Sequence, residues 1–194
     1  MNPTIYTIGH SNGPALDFIS NLKRNGITAV GDVRSSPFSR YVPHFNQDTL
    51  KTLLAENGIA YVFLGKELGA RSEDPCCYVD GRVSYERLAT TELFQRGIDR
   101  VLEGAQKYRL ALMCAEKDPC DCHRTILVAR ALERQGVDVQ HILSLGQLES
   151  HAETMRRLMA SLKIPTSDLF MSPEALVEQA YATRGKQISY SPGA

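Results

Sequence analysis

The chain as a whole carries no surplus of one charge, no run is long and apolar enough to span a bilayer, and no segment repeats or degenerates into low complexity. With 22 Lys and Arg against 22 Asp and Glu, nothing draws the whole molecule to nucleic acid or an acidic membrane. A local basic groove is not excluded by that balance. No apolar stretch approaches the roughly 20 residues of a membrane helix. The start, Met1-Asn2-Pro3-Thr4, lacks the basic and apolar regions of a secretory leader. These absences predict a cytoplasmic protein with no membrane partner. The five cysteines are odd in number, which in such a compartment argues against a disulfide framework. Free thiols, a metal site or a catalytic thiol remain.

What is present is ordinary globular material, 43% hydrophobic and 23% charged, enough for one domain with a full core and a small appendage. Thr4–Ile8, Ile27–Val33, Ile59–Leu64, Arg109–Cys114 and Val137–Leu143 read as strands, short, apolar and bounded by turn residues. Leu16, Phe18, Ile19 and Leu22 space as one helix face. Gln47–Asn57, Tyr85–Lys107 (with an irregularity near Gly97) and a segment from Thr125 to Gln135 read as further helices. Alternation of strands with crossovers predicts a three-layer α/β sandwich around a mostly parallel five-stranded sheet over residues 1–145. Residues 146–194 read as a helical C-terminal extension, with helices near Glu149–Leu162 and Pro173–Thr183 and an extended end. It packs on the sheet domain or is exchanged within a homo-oligomer.

In a parallel sheet the loops after successive strands share one edge, where open α/β folds bind ligands. Here those loops carry His10 and Ser11, then Asp32, Arg34 and Arg40, then Lys66 and Arg71, and finally Met113-Cys114-Ala115-Glu116-Lys117-Asp118-Pro119-Cys120-Asp121-Cys122-His123-Arg124. The opposite turns, such as Asn25-Gly26 and Gln135-Gly136, carry far fewer charges. One edge is therefore predicted to be a polar pocket.

The Cys/His loop admits three readings. Cys114, Cys122 and His123, with Cys120, could bind zinc or iron, although Cys120-x-Cys122 is tighter than structural zinc spacing. Cys122 or Cys114 could be a thiolate activated by a helix start and by Lys117, His123 and Arg124. Cys114, at the end of a buried strand, could simply be a small apolar residue. Arg124 at a helix start opposes the macrodipole, which makes sense if it faces an anion there. His10 and Glu116 are acid–base candidates. Asp32, in an apolar strand, needs a partner.

Three stretches, Thr7-Ile8-Gly9-His10-Ser11, Asp32-Val33-Arg34-Ser35-Ser36-Pro37-Phe38-Ser39-Arg40 and Cys114-Ala115-Glu116-Lys117-Asp118-Pro119 with Cys122-His123-Arg124, resemble the DUF488 family of bacterial and archaeal proteins. The resemblance spans most of Thr4–Leu143 and implies a small α/β domain. Its motif positions are His10, Ser11, Asp32, Arg34, Arg40, Cys114, Glu116, Cys122, His123 and Arg124. Cys120 falls outside, which counts against a four-ligand metal site built on it.

The resulting expectation is an enzyme acting on a phosphate- or carboxylate-bearing small molecule or nucleotide. His10, Glu116 and Cys122 supply the chemistry, and Ser11, Asp32, Arg34, Arg40 and Arg124 bind the substrate. The alternatives are a thiol redox or metal-binding protein using Cys114, Cys122 and His123, and a non-enzymatic nucleic-acid-binding module.

Overall fold

A computed structural model describes residues 3–192. Met1, Asn2, Gly193 and Ala194, on which the leaderless start and the last of the extended end partly rest, lie outside the described residues. The first half places β1 (Ile5–Gly9), α1 (Ala15–Arg24), β2 (Ala29–Asp32), α2 (Gln47–Glu56), β3 (Ala60–Phe63) and α3 (Gly65–Leu68) in order. A hairpin, β4 (Tyr78–Val79) and β5 (Arg82–Val83), leads to α4 (Tyr85–Ala89), α5 (Glu92–Ala105) and β6 (Leu110–Cys114). A π-helical turn over Arg124–Ala129 continues into α6 (Arg130–Glu133), and β7 (Val139–Ile142), β8 (Leu148–Ser150), α7 (His151–Ser161) and α8 (Pro173–Ile188) complete the chain.

The main sheet has six strands in the order β3-β2-β6-β1-β7-β8, one more than expected. The first five are parallel, and β8 adds an antiparallel edge to β7. Three residues are too few for a periodic signal, so β8 was indistinguishable from the start of the helix behind it. Ser150 marks that start instead, closing a capping box with Glu153. The hairpin lies in a stretch read as irregular loop. Its turn, Asp80-Gly81, has positive φ at both residues (49° and 74°), the geometry that Asp-Gly favours.

The expected long helix over 85–107 is two helices. Thr91 caps the second by accepting from the Phe94 N–H, so the break falls at Thr90–Thr91 rather than at Gly97. Gly97 sits within regular α5 for a different reason. A Cβ there would lie 2.7 Å from Leu68 Cδ2, so its absence lets α3 pack closely.

Side chains of β6 alternate across the sheet as strand geometry requires. Ala111 and Met113 join the layer containing Phe18, Ile19 and Leu22 of α1 and Leu50 and Leu54 of α2. Leu110, Leu112 and Cys114 face the other layer, built from α5, the π turn, α7 and α8. The chain leaves β1 toward β2 but leaves β6 toward β7, so neighbouring strands send their connections in opposite directions. That reversal places a ligand crevice at the carboxyl ends of β1 and β6. No helix among the described residues is long and apolar enough to cross a membrane.

Buried polar groups tie the C-terminal helices to the sheet. Thr7 Oγ1 lies 2.7 Å from His141 Nδ1, His141 Nε2 is 2.9 Å from His151 Nδ1, and His151 Nε2 is 2.6 Å from the Tyr181 hydroxyl. One proton assignment satisfies the whole chain: Thr7 donates to His141, His141 to His151 and His151 to Tyr181. Both rings must stay neutral for this. Burial pushes His151 down to about 4, and burial with the His151 charge and the nearby arginines Arg124 and Arg157 holds His141 well below its usual range.

A folded-state pKa below the unfolded value of 6.5 means the unfolded chain takes up protons first as pH falls. Stability is therefore complete above pH 6.5 and declines as pH drops toward 4, by up to roughly 3 kcal/mol from His151 alone. Urea midpoints measured between about pH 7.5 and 4.5 should fall steadily, and the fall should shrink in His151→Phe. An unchanged midpoint across that range would contradict the buried neutral network.

Candidate functional site

The loop after β6 is anchored from both sides. Strand pairing continues past the sheet, with His10 N–H donating to the Cys114 carbonyl at 3.0 Å and Ser11 N–H to the Ala115 carbonyl at 2.9 Å. The chain then crosses so close to β1 that a Cβ on Gly9 would lie 1.8 Å from the Glu116 carbonyl oxygen. Gly9 is therefore required for that approach. Arg124, at the start of the π turn, reaches back under the loop. Its Nη1 donates to the Glu116 carbonyl and its Nη2 to the Lys117 carbonyl.

Within this frame four donor atoms converge. They come from Cys114, Glu116, Cys122 and His123, and all lie within 4.8 Å of one another. Cys114 Sγ is 2.9 Å and Cys122 Sγ 3.0 Å from Glu116 Oε2, and His123 Nδ1 lies 3.5 Å and 4.0 Å from the two sulfurs. The other imidazole nitrogen, Nε2, is 3.0 Å from the Val33 carbonyl. A proton on Nε2 donated to that oxygen leaves the Nδ1 lone pair facing the sulfurs. The Arg124 backbone N–H lies 3.4 Å from Cys122 Sγ.

The electrostatics of the two thiols diverge. Burial pushes the Cys114 thiol well up, reinforced by Cys122 and Glu116. Burial also opposes charge on Cys122, but the Cys114 thiol, the Arg124 guanidinium and His123 outweigh it and hold Cys122 well below the usual thiol value. Glu116 is raised by burial and by the charge of Cys122. His123 is likewise raised, the thiolate of Cys122 and the carboxylate of Glu116 overcoming burial. Without a cation the cluster thus retains protons on Cys114 and His123 that a bound metal would displace.

A cavity of about 250 Å³ opens over the cluster. Cys114, Glu116 and His123 form part of its lining, Arg34, Ser35 and Ser36 come from the loop after β2, and Tyr85, Ile188 and Tyr190 come from α4 and the C-terminal segment. The last three were invisible to sequence reasoning. They carry no motif and reach the site only through packing of the two helices on the sheet.

The other expected site residues are placed differently. Arg34 is committed internally: Nε and Nη2 bind both oxygens of Asp32, Nη2 also donates to the Phe45 carbonyl, and Nη1 lies 3.1 Å from His10 Nε2. Asp32 therefore has its partners, with the Tyr61 hydroxyl a third at 2.8 Å. His10 stacks on Phe45 at 4.2 Å, and its Nδ1 lies 2.6 Å from the Ser11 carbonyl. Burial, helped by the Arg34 charge, pushes His10 down to about 4. Its Nδ1–H donates to Ser11 and its Nε2 accepts from Arg34, so neither nitrogen is left to serve as a base.

His10 and Ser11 line a separate cleft of about 470 Å³ with Arg24 and Lys117. Arg40 is exposed, its guanidinium 5.5 Å above the Tyr41 ring, and lines neither cavity. Arg124 is 0% exposed and faces peptide carbonyls, the dipolar counterpart of the anion expected there. Cys120 points away, its Sγ 3.6 Å from the Thr154 carbonyl, and Glu116 stands in the cluster where a fourth ligand had been sought at Cys120.

A mostly parallel sheet covered on both faces, with a polar cluster at the reversal of strand order, defines an open α/β domain. The family model described as a domain of unknown function, DUF488, matches residues 15–131, more than half of the chain, and the protein belongs to that family. The match takes in Asp32, Arg34, Arg40 and the whole Cys/His loop, while His10 and Ser11 precede it. No curated protein and no solved structure matched the chain.

Gly9→Ala should drive a methyl group into the Glu116 carbonyl and loosen the grip of Arg124 on the loop. The expected cost is about 1–3 kcal/mol in a urea melt, together with faster modification of Cys122 by a thiol reagent. Wild-type stability with Cys122 still protected would contradict the crossing geometry.

Proposed function

We propose that this protein is metal-dependent, holding zinc or ferrous iron on Cys114, Cys122 and His123 with Glu116 completing the set, in the floor of a small-molecule pocket. The observation that carries the reading is the convergence within 4.8 Å of four donors from the two ends of the loop after β6. Tetrahedral bonds of about 2.3 Å to sulfur and about 2.0–2.1 Å to nitrogen or oxygen put ligand atoms roughly 3.3–3.8 Å apart. Of the sulfur–nitrogen separations, 3.5 Å falls within that range and 4.0 Å just above it, and the sulfur–oxygen ones of 2.9 and 3.0 Å require a small opening. Thiolates with imidazole suit zinc first and iron second. The hydrogen bond from His123 to Val33 is the outer-sphere orientation that ligating histidines commonly have.

Burial supports this order of readings over a nucleophilic thiol. Cys122, the cysteine with the lowered pKa, is 1% exposed and does not line the cavity, while Cys114, which does line it, is the thiol that burial keeps protonated, so neither is placed as a free nucleophile. Glu116, by contrast, lies at the exposed rim with only its carboxylate turned inward. It is the donor best placed to give way to a ligand. A metal in this position supplies Lewis acidity toward a bound oxygen. The enzyme acting on an anionic small molecule thus keeps its place at the sheet edge, with its chemistry moved from His10 to the cluster. The cavity is below the usual 300–1,000 Å³ of drug-sized sites, which favours a compact substrate over a nucleotide.

Elemental analysis of the purified protein should find one zinc or iron per chain. Cys122→Ser and His123→Gln should lose it, while Cys120→Ser keeps it. A metal-free protein that forms a Cys114–Cys122 disulfide under mild oxidation would favour the thiol redox reading instead.

A further inference from the structure

The more enclosed of the two phenols lining the pocket has no protein partner. Tyr85 is 4% exposed, yet its hydroxyl makes no hydrogen bond among the described residues, and the residue lines the cavity beside Cys114 and Glu116. The hydroxyl oxygen is not sealed inside the protein but opens onto the cavity, where water or a ligand completes its hydrogen bonding. Its fixed position follows from its place in the fold. Ser84 caps α4 immediately before it, and Gly185 of α8 lies beside it, where a Cβ would meet the Tyr85 ring at an ordinary contact distance of 3.6 Å. The ring is thus held between the sheet layer and the C-terminal helix.

A second donor faces the same space. A guanidinium has five N–H groups. Arg34 directs Nε and one Nη2 hydrogen to Asp32, the other Nη2 hydrogen to Phe45 and one Nη1 hydrogen to His10, which leaves one on Nη1. Arg34 lines the cavity and is itself 7% exposed. Ser35 accepts from the Arg71 N–H at 3.0 Å and keeps its own proton available, and Arg71 stacks 4.7 Å over Tyr190 at the pocket wall. The rim acid Asp121 is already paired with Arg184 at 2.7 Å. The walls therefore offer donors, while the acceptor side is confined to the cluster.

We propose that this cavity binds a small monocarboxylate, its oxygens received by the Tyr85 hydroxyl and the remaining Nη1 hydrogen of Arg34, with the rest of the molecule directed at the Cys114–Glu116–Cys122–His123 cluster. The proposal rests on the metal-centre reading for what the ligand meets at the floor, and on the unpartnered phenol for where the ligand is held. A carboxylate fits better than a phosphate dianion. Asp32 already neutralises the charge of Arg34, and Glu116 and the thiols lie within the same small volume. Tyr85 stays protonated and therefore a donor, since burial and the neighbouring Cys122, Cys114 and Glu116 all oppose phenolate formation.

The test uses the full chain in two forms, metal-free and cobalt(II)-loaded, titrated calorimetrically with acetate, pyruvate and inorganic phosphate. Sulfur-to-cobalt charge-transfer absorption reports the metal reading by itself. Pyruvate should bind the loaded protein and alter the cobalt bands. Tyr85→Phe removes only the hydroxyl, so it should leave the cobalt absorption intact and weaken pyruvate about tenfold, as expected for one hydrogen bond to a charged group.

Absent cobalt bands with pyruvate binding that is still weakened in Tyr85→Phe would sink the metal centre and keep the carboxylate site. Cobalt bands with no binding of either carboxylate would overturn the carboxylate site and keep the centre. Tighter binding of phosphate than of pyruvate would overturn the ligand class. Unchanged pyruvate affinity in Tyr85→Phe would remove Tyr85 from the site.

Discussion

A single buried guanidinium holds the functional edge of this protein together. Arg124 is fully enclosed, and a charge so placed is tolerated only where dipoles and counter-charge surround it. The carbonyls of Glu116 and Lys117 provide the dipoles, and the lowered pKa of Cys122 provides the negative partner. One side chain therefore shapes the loop after β6 and sets the protonation of the thiol beside it. Gly9 is the other half of this constraint, because no side chain fits between β1 and the crossing loop. The four donors meet only because strand, glycine and arginine bring the loop back over the sheet.

A second polar network supports the pocket from the β2 side. Asp32 accepts from Arg34 and Tyr61, and Arg34 fixes His10 and the Phe45 carbonyl. A buried ion pair of this kind contributes little net stability compared with apolar packing, but it fixes geometry if every member is satisfied. Here it leaves one hydrogen of Arg34 uncommitted and removes His10 from proton chemistry. The edge divides as a result: the cluster and its pocket lie on the β2 side, and the His10–Ser11 cleft lies over α1.

Much of the fold was legible. The five parallel strands are apolar runs bounded by turn residues, and the motif-bearing loops follow them with a regularity that placed the polar edge correctly. What escaped was either too short or decided at a distance. β8 has three residues, and the hairpin β4–β5 has two per strand, announced only by Asp80-Gly81. The break between α4 and α5 is written in the capping threonine, Thr91, rather than in the more conspicuous Gly97. At the site, Cys114, Glu116, Cys122 and His123 were all recognised as chemically suggestive, but sequence spacing directed attention to Cys120. Glu116 has no place in the usual cysteine–histidine spacings, and only its turn back onto both sulfurs reveals it as the fourth donor. Tyr85, Ile188 and Tyr190 left no trace, since nothing local distinguishes a pocket wall from a core residue.

The sequence by itself determined the architecture and the edge on which the polar and reactive groups gather, because strand length, strand–helix alternation and loop composition are local properties of the chain. Tertiary structure decided which of the many reactive groups on that edge are available. Arg34 and His10 are committed to each other and to neighbouring groups, Arg124 faces the carbonyls of Glu116 and Lys117, and Glu116 is turned onto the sulfurs of Cys114 and Cys122 together. A hydrogen bond saturates a group as fully as a ligand would, and only the folded chain reveals which groups are already saturated.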